Sequence, residues 1–149
     1  MGGATAAAIA GRTLVGWLMR PGADRRLVAC ASYMVQIVGS MAFLLAAGDR
    51  VPMLVIGVVL FGAGIGNATS LPPLIAQAEF VKGDVGRAVA LIVAIAQGAY
   101  AFAPAAFGLI RAAVPHASEA SVGAAPLVFA VAALFQALAI AVLLAGRQR

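Results

Sequence analysis

Arg12, Asn67, Ser70, Gln97 and Tyr100 each place a polar group inside an apolar stretch. A guanidinium is a planar, two-pronged donor that suits a carboxylate, so Arg12 is a candidate site for an organic anion. The same long stem also lets an arginine snorkel, with its head drawn out to lipid headgroups. Both readings of Arg12 stand at this point. Asn67 and Ser70 are three apart, as are Gln97 and Tyr100, and on a helix that spacing puts each pair on one face. Each of these four is a candidate substrate contact or a partner in an interhelical hydrogen bond. Pro72 and Pro73, and further on Pro104, withdraw backbone donors and are predicted to bend their helices, freeing carbonyls that can face a cavity.

Other chemistries lack their residues. Ser70 and Ser121 have no histidine to activate them, because His116 is the only one and falls in a predicted loop. No paired carboxylates lie in the apolar stretches, and Cys30 is the single cysteine, so neither catalytic residues nor a metal site is expected. No cofactor is expected either. Gly57, Gly62, Gly64 and Gly66 have no preceding strand and no acidic residue after them, which removes a dinucleotide fingerprint. Absence of Asp, Glu, Lys or His from the middles of these stretches leaves no obvious proton carrier. The sequence pI is about 10.7, yet the basic residues come singly or in pairs, so no nucleic-acid partner is expected.

The elements that must position the candidates follow from composition. Apolar residues make up 64% of the chain and charged ones 10%, against ~45–50% and ~25% in an ordinary soluble domain. Uncharged runs extend over 27–48, 51–78, 88–110 and 120–146. A run of that length, at ~1.5 Å per helical residue, reaches across a hydrocarbon core of ~30 Å. The stretch before Met19 is shorter, carries Arg12 and is read as a further helix, because a secretory signal puts its charge ahead of its apolar region. The predicted class is all-α: one polytopic membrane domain over 1–149, with about five transmembrane helices at 1–19, 27–48, 52–78, 88–111 and 124–146. Short breaks at Pro21-Gly22, Gly48 to Pro52, Lys82-Gly83-Asp84 and Val114-Pro115-His116 suit antiparallel neighbours. Eight Lys and Arg residues then fall on one side and two on the other, which predicts the 20–26 and 79–87 loops and the C-terminus to be cytoplasmic. Trp17 reads as an interfacial anchor, and Gln36 and Gln136 as partners in interhelical hydrogen bonds.

Gly16 and Leu18, followed after a turn by Asp24-Arg25-Arg26, lie in a segment that resembles the loop G-x-L-x-D-R-x-G-R-R of the major facilitator superfamily. In that family such a loop caps helix ends and helps hold the two halves together on the cytoplasmic side. Arg20 stands where the family has Asp, and the Asp24-Arg25-Arg26 group is displaced from it. The stretch from Glu79-Phe80 to Gly86-Arg87-Ala88 is similar to the loop between the family's helices 10 and 11, and Ala96 to Tyr100 with Ala103-Pro104 is similar to helix 11. The resemblance implies the C-terminal part of such a transporter, about helices 8 to 12, in a bacterial cytoplasmic (inner) membrane. Its partners would be the lipid bilayer, a small-molecule solute, and the missing N-terminal half or another membrane chain. It also implies transmembrane transport of a small solute. Arg12 is similar to the helix 8 arginine of monocarboxylate and oxalate porters, which face an anion with it. Efflux of hydrophobic compounds is one alternative, and an accessory or assembly subunit without transport activity of its own is another.

Overall fold

The computed structural model describes residues 2–19, 22–46, 50–113 and 126–147. Five helices account for nearly all of them: α1 (Gly2–Leu18), α2 (Arg25–Ala46), α3 (Val51–Glu79), α4 (Val85–Ala113) and α5 (Pro126–Ala145). No strand occurs among the described residues. Arg20 and Pro21, Gly48 and Asp49, His116 and Ser121, and Arg149, where breaks, a loop and the C-terminus are expected, lie outside them.

Helices α2, α3, α4 and α5 are long and apolar enough to cross a membrane, the make-up of an integral membrane protein. The expected first span is α1, which has 17 residues and covers about 26 Å at ~1.5 Å each, somewhat less than the ~30 Å core. Helix α4 starts at Val85, ahead of the expected residue 88, because Arg87 continues the helix and a single charge does not end one.

Local chemistry fixes the ends. Gly22 takes a φ of +86° in the turn between α1 and α2, a conformation that glycine adopts without a Cβ penalty. Asp24 caps α2: its Oδ1 accepts from the N–H of Arg26 at 2.9 Å and of Leu27 at 3.3 Å. Pro52 occupies the first turn of α3, where its missing N–H costs nothing. Pro72, Pro73 and Pro104 lie inside helices that run on through them.

Helix α2 packs between α3 and α5, and α1 lies along α3. Three levels of contact hold α2. At its start are charged side chains, described below, above a small core of Ala29, Leu71 and Ile75. At its middle, Ser40 donates to Gln136 Oε1 at 3.3 Å and Gln136 Nε2 donates to Gln36 Oε1 at 3.4 Å, all three side chains being buried. Toward its end, Phe43 stacks on Phe129 at 5.0 Å between centroids and meets Phe61 edge-on at 6.4 Å. Gln36 and Gln136 thus pair between helices, as their central positions suggest. By contrast α4 touches α3 and α5 but buries none of its described residues.

The amide chain is asymmetric, because Gln36 Nε2 is buried without a partner while Gln136 uses both ends of its amide. Gln136→Leu orphans two groups, whereas Gln36→Leu orphans one and removes one that was already unpaired. Gln136→Leu should therefore lower unfolding stability in detergent by ~1–2 kcal/mol, and Gln36→Leu by less. An equal or reversed order in a denaturant titration would rule out this pairing.

Candidate functional site

The residues singled out from the sequence fall into three places. Arg12 and Ser70 meet at the carbonyl of Gly66, which lies at the middle of α3, while the Asn67 side chain turns to the carbonyl of Ala63. Gln97 and Tyr100 are on the exposed surface of α4. Asp24, Arg25 and Arg26 gather at the end of the bundle where α1 and α3 stop and α2 starts.

Close approach of α1 to α3 makes the first group possible. A Cβ on Gly66 would strike the carbonyl of Ala8, and one on Gly11 would strike the backbone of Ala63. Only glycines at these positions let the two backbones come so near. Arg12 then reaches across: its Nε donates to Gly66 O at 3.1 Å and its Nη2 to Thr69 Oγ1 at 2.9 Å. The Arg12 head thus rests at the level of Gly66 and Thr69 on α3. Both acceptors are neutral, and among the described residues no carboxylate pairs with Arg12.

Ser70 Oγ donates to Gly66 O at 3.0 Å, and Asn67 Nδ2 to Ala63 O at 3.4 Å, so each bonds within α3 itself. Asn67 is buried and Ser70 half-buried. Thr69 is the member that the sequence reading missed. It stands one turn beyond Gly66, a spacing that could have marked it as facing the same neighbour. Nothing in the sequence said that the neighbour would be Arg12. Gln97 and Tyr100 share a face as their spacing predicts, but neither packs against a neighbouring helix: Tyr100 is 74% exposed.

The loop residues are knit together. Arg26 grips Glu79 with both prongs, Nε and Nη2 each 2.6 Å from a carboxylate oxygen, and its Nη1 donates to the Leu143 carbonyl at 3.2 Å. Asp24 Oδ2 pairs with Arg147 Nε at 2.8 Å. Arg25 Nη1 donates to the Leu74 carbonyl at 2.6 Å. Gly16 and Leu18 are exposed on the last turns of α1 and take no part in these bonds. An apolar cleft of about 350 Å³ opens between α2, α3 and α5, lined by Tyr33, Ala68, Pro72 and Phe135 among others. Pro72 alone of the candidate residues borders it. Among the described residues no cluster of His, Cys, Asp or Glu could hold a metal ion.

No protein-family model, no curated protein and no solved structure matches the chain.

Burial acts to raise the Asp24 carboxyl, but the N–H groups of Leu27 and Arg26 and the Arg147 guanidinium outweigh it and hold it below its ordinary value. A carboxylate lowered on folding stabilises the folded state above its unfolded value, ~3.9, and loses that contribution as pH falls through the folded one. The midpoint of thermal unfolding should thus drop as pH is taken below about 4, and Asp24→Asn should show a smaller drop over the same range. Parallel curves for the two proteins would exclude Asp24 as a source of acid sensitivity.

Proposed function

We propose that the chain forms one half of a transport path for a small solute, in the manner of the C-terminal half of a major facilitator superfamily transporter, and that its solute is an organic anion such as a monocarboxylate. What carries this reading is Arg12: a fixed positive charge at the level of the middle of α3, held on its Nε side by neutral acceptors and exposed on the other. An ionised group at that depth is costly and marks a solute or ion pathway unless a counter-charge neutralises it. With Nε and Nη2 engaged, the Nη1 end of the fork is the part left to meet a carboxylate.

Two further features support the same reading. The Asp24-Arg25-Arg26 group ties the ends of α2, α3 and α5, the capping role that the family resemblance implies for that loop. Gln97 and Tyr100, exposed in the middle of α4, are suited to face a second helical half across the path. We place the Asp24 end of the bundle on the cytoplasmic side, where short loops collect Lys and Arg.

Loss of the guanidinium fork tests the solute. In cells producing the complete transport system, Arg12→Lys should reduce uptake of short monocarboxylates by about ten-fold or more while the amount of protein stays near normal. Unchanged uptake would overturn the anion reading, and export of a hydrophobic dye by the same cells would favour efflux instead. Orientation has its own test. In a Cys30→Ala background, His116→Cys should react with an impermeant thiol reagent from outside intact cells and Gly83→Cys should not; the reverse pattern would invert the topology.

A further inference from the structure

At the Asp24 end a hollow of about 500 Å³ lies among Met19, just past α1, the last turn of α3 and the first turn of α2. Met19, Ile75 and Ala78 give it an apolar floor, and Asp24, Arg25, Arg26 and Glu79 edge it. Its two carboxylates are already committed. Both oxygens of Glu79 are taken by Arg26, Asp24 Oδ1 is taken by the backbone of α2, and Asp24 Oδ2 is taken by Arg147. Arg25 is left over. It is half-buried, donates to a neutral carbonyl on α3, and pairs with no carboxylate among the described residues. The five side chains Asp24, Glu79, Arg25, Arg26 and Arg147 therefore carry one net positive charge, and it resides on Arg25.

We infer that this hollow seats the phosphate monoanion of an acidic phospholipid, with Arg25 as its direct partner. The depth fits, because the hollow sits where the membrane-crossing helices end, the level of lipid phosphates. The floor fits as well: Met19 and Ala78, above the buried Ile75, suit the glycerol and first methylenes of such a lipid. The donor also fits. One prong of Arg25 is fixed on Leu74 O, which orients the planar group, and its remaining donors are available to phosphate oxygens. Free phosphate offers the same oxygens without the apolar part, so the two sources can be told apart. The site does not depend on what the chain transports.

Trp17 is the only tryptophan and stands two residues before Met19 of the floor, ~3 Å along the helix axis, so brominated lipid bound at this end of the bundle quenches it. In nanodiscs, brominated phosphatidylglycerol should quench Trp17 in preference to brominated phosphatidylcholine, with a relative association constant of about five, the ratio expected for one basic residue near the bilayer surface. Arg25→Gln should bring that ratio close to unity, and Arg87→Gln, outside the hollow, should leave it unchanged. If Arg25→Gln does not fold, Ala23→Asp adds a negative charge at the rim with Arg25 intact and should lower the ratio in the same direction. A preference that survives either change within the hollow, or that Arg87→Gln removes equally, overturns the proposal. Competition by millimolar inorganic phosphate would overturn the lipid as the source and assign the seat to a free anion; no competition supports the lipid.

Discussion

Arg26 joins three helices. Its guanidinium is divided between a carboxylate on α3 and a carbonyl on α5, and its own backbone N–H is bound by the cap of α2. Within a bilayer there is little hydrophobic force between helices, so contacts of this kind, with close packing, set which faces meet. Once α2 is pinned here between α3 and α5, the levels above follow. Gln36 and Ser40 come opposite Gln136, and Phe43 comes between Phe61 and Phe129. A helix held at its end, its middle and its far turns has one register, which is why α2 carries much of the burial in this bundle.

The contact between α1 and α3 follows a different rule. Among the described residues it has no aromatic pair and no ion pair; small side chains let the backbones touch, and the long side chain of Arg12 crosses between them. The two features depend on each other. A carbonyl in the middle of a helix already accepts a backbone bond, and Gly66 O can take a further one from Arg12 only because no Cβ stands in the way. The glycine that permits the approach is thus also the residue whose carbonyl anchors the charge. Thr69 closes the arrangement by accepting from Arg12 while donating back to its own helix, to Gly66 O at 3.2 Å.

Much of the architecture was legible in the sequence, because what marks a membrane helix is simple: a long run without charge. The five helices could be read that way, and the central places of Gln36 and Gln136 marked each of them for a bond between helices, though not for each other. The exact start of α4 could not, since Arg87 interrupts a run of apolar residues without interrupting a helix. Nor could the partner of Arg12. Spacing shows which residues share a face of one helix, but not which face of another helix lies opposite, and that depends on the close approach at Gly11 and Gly66. The same limit explains Thr69, whose role exists only between helices. It explains Ser70 and Asn67 in the opposite sense: both bond within α3, to the carbonyl one turn before them, an outcome available to any Ser or Asn inside a helix.

Helix α4 poses the remaining physical question. It is 29 residues long, apolar and without a buried residue among those described, yet Gln97 and Tyr100 stand at its middle. In hydrocarbon an amide and a phenol without partners are each costly, and an entirely lipid-facing helix would be better served by leucine at both positions. Arg12 has the same requirement at a similar depth, with one end of its guanidinium left open. A lipid surface satisfies none of these three groups. Water, a polar solute or the side chains of a second helical half satisfies them all, and a path between two halves supplies each of those in turn. The polar groups at the middles of these helices, more than the count or length of the helices, are therefore what the proposed transport path rests on.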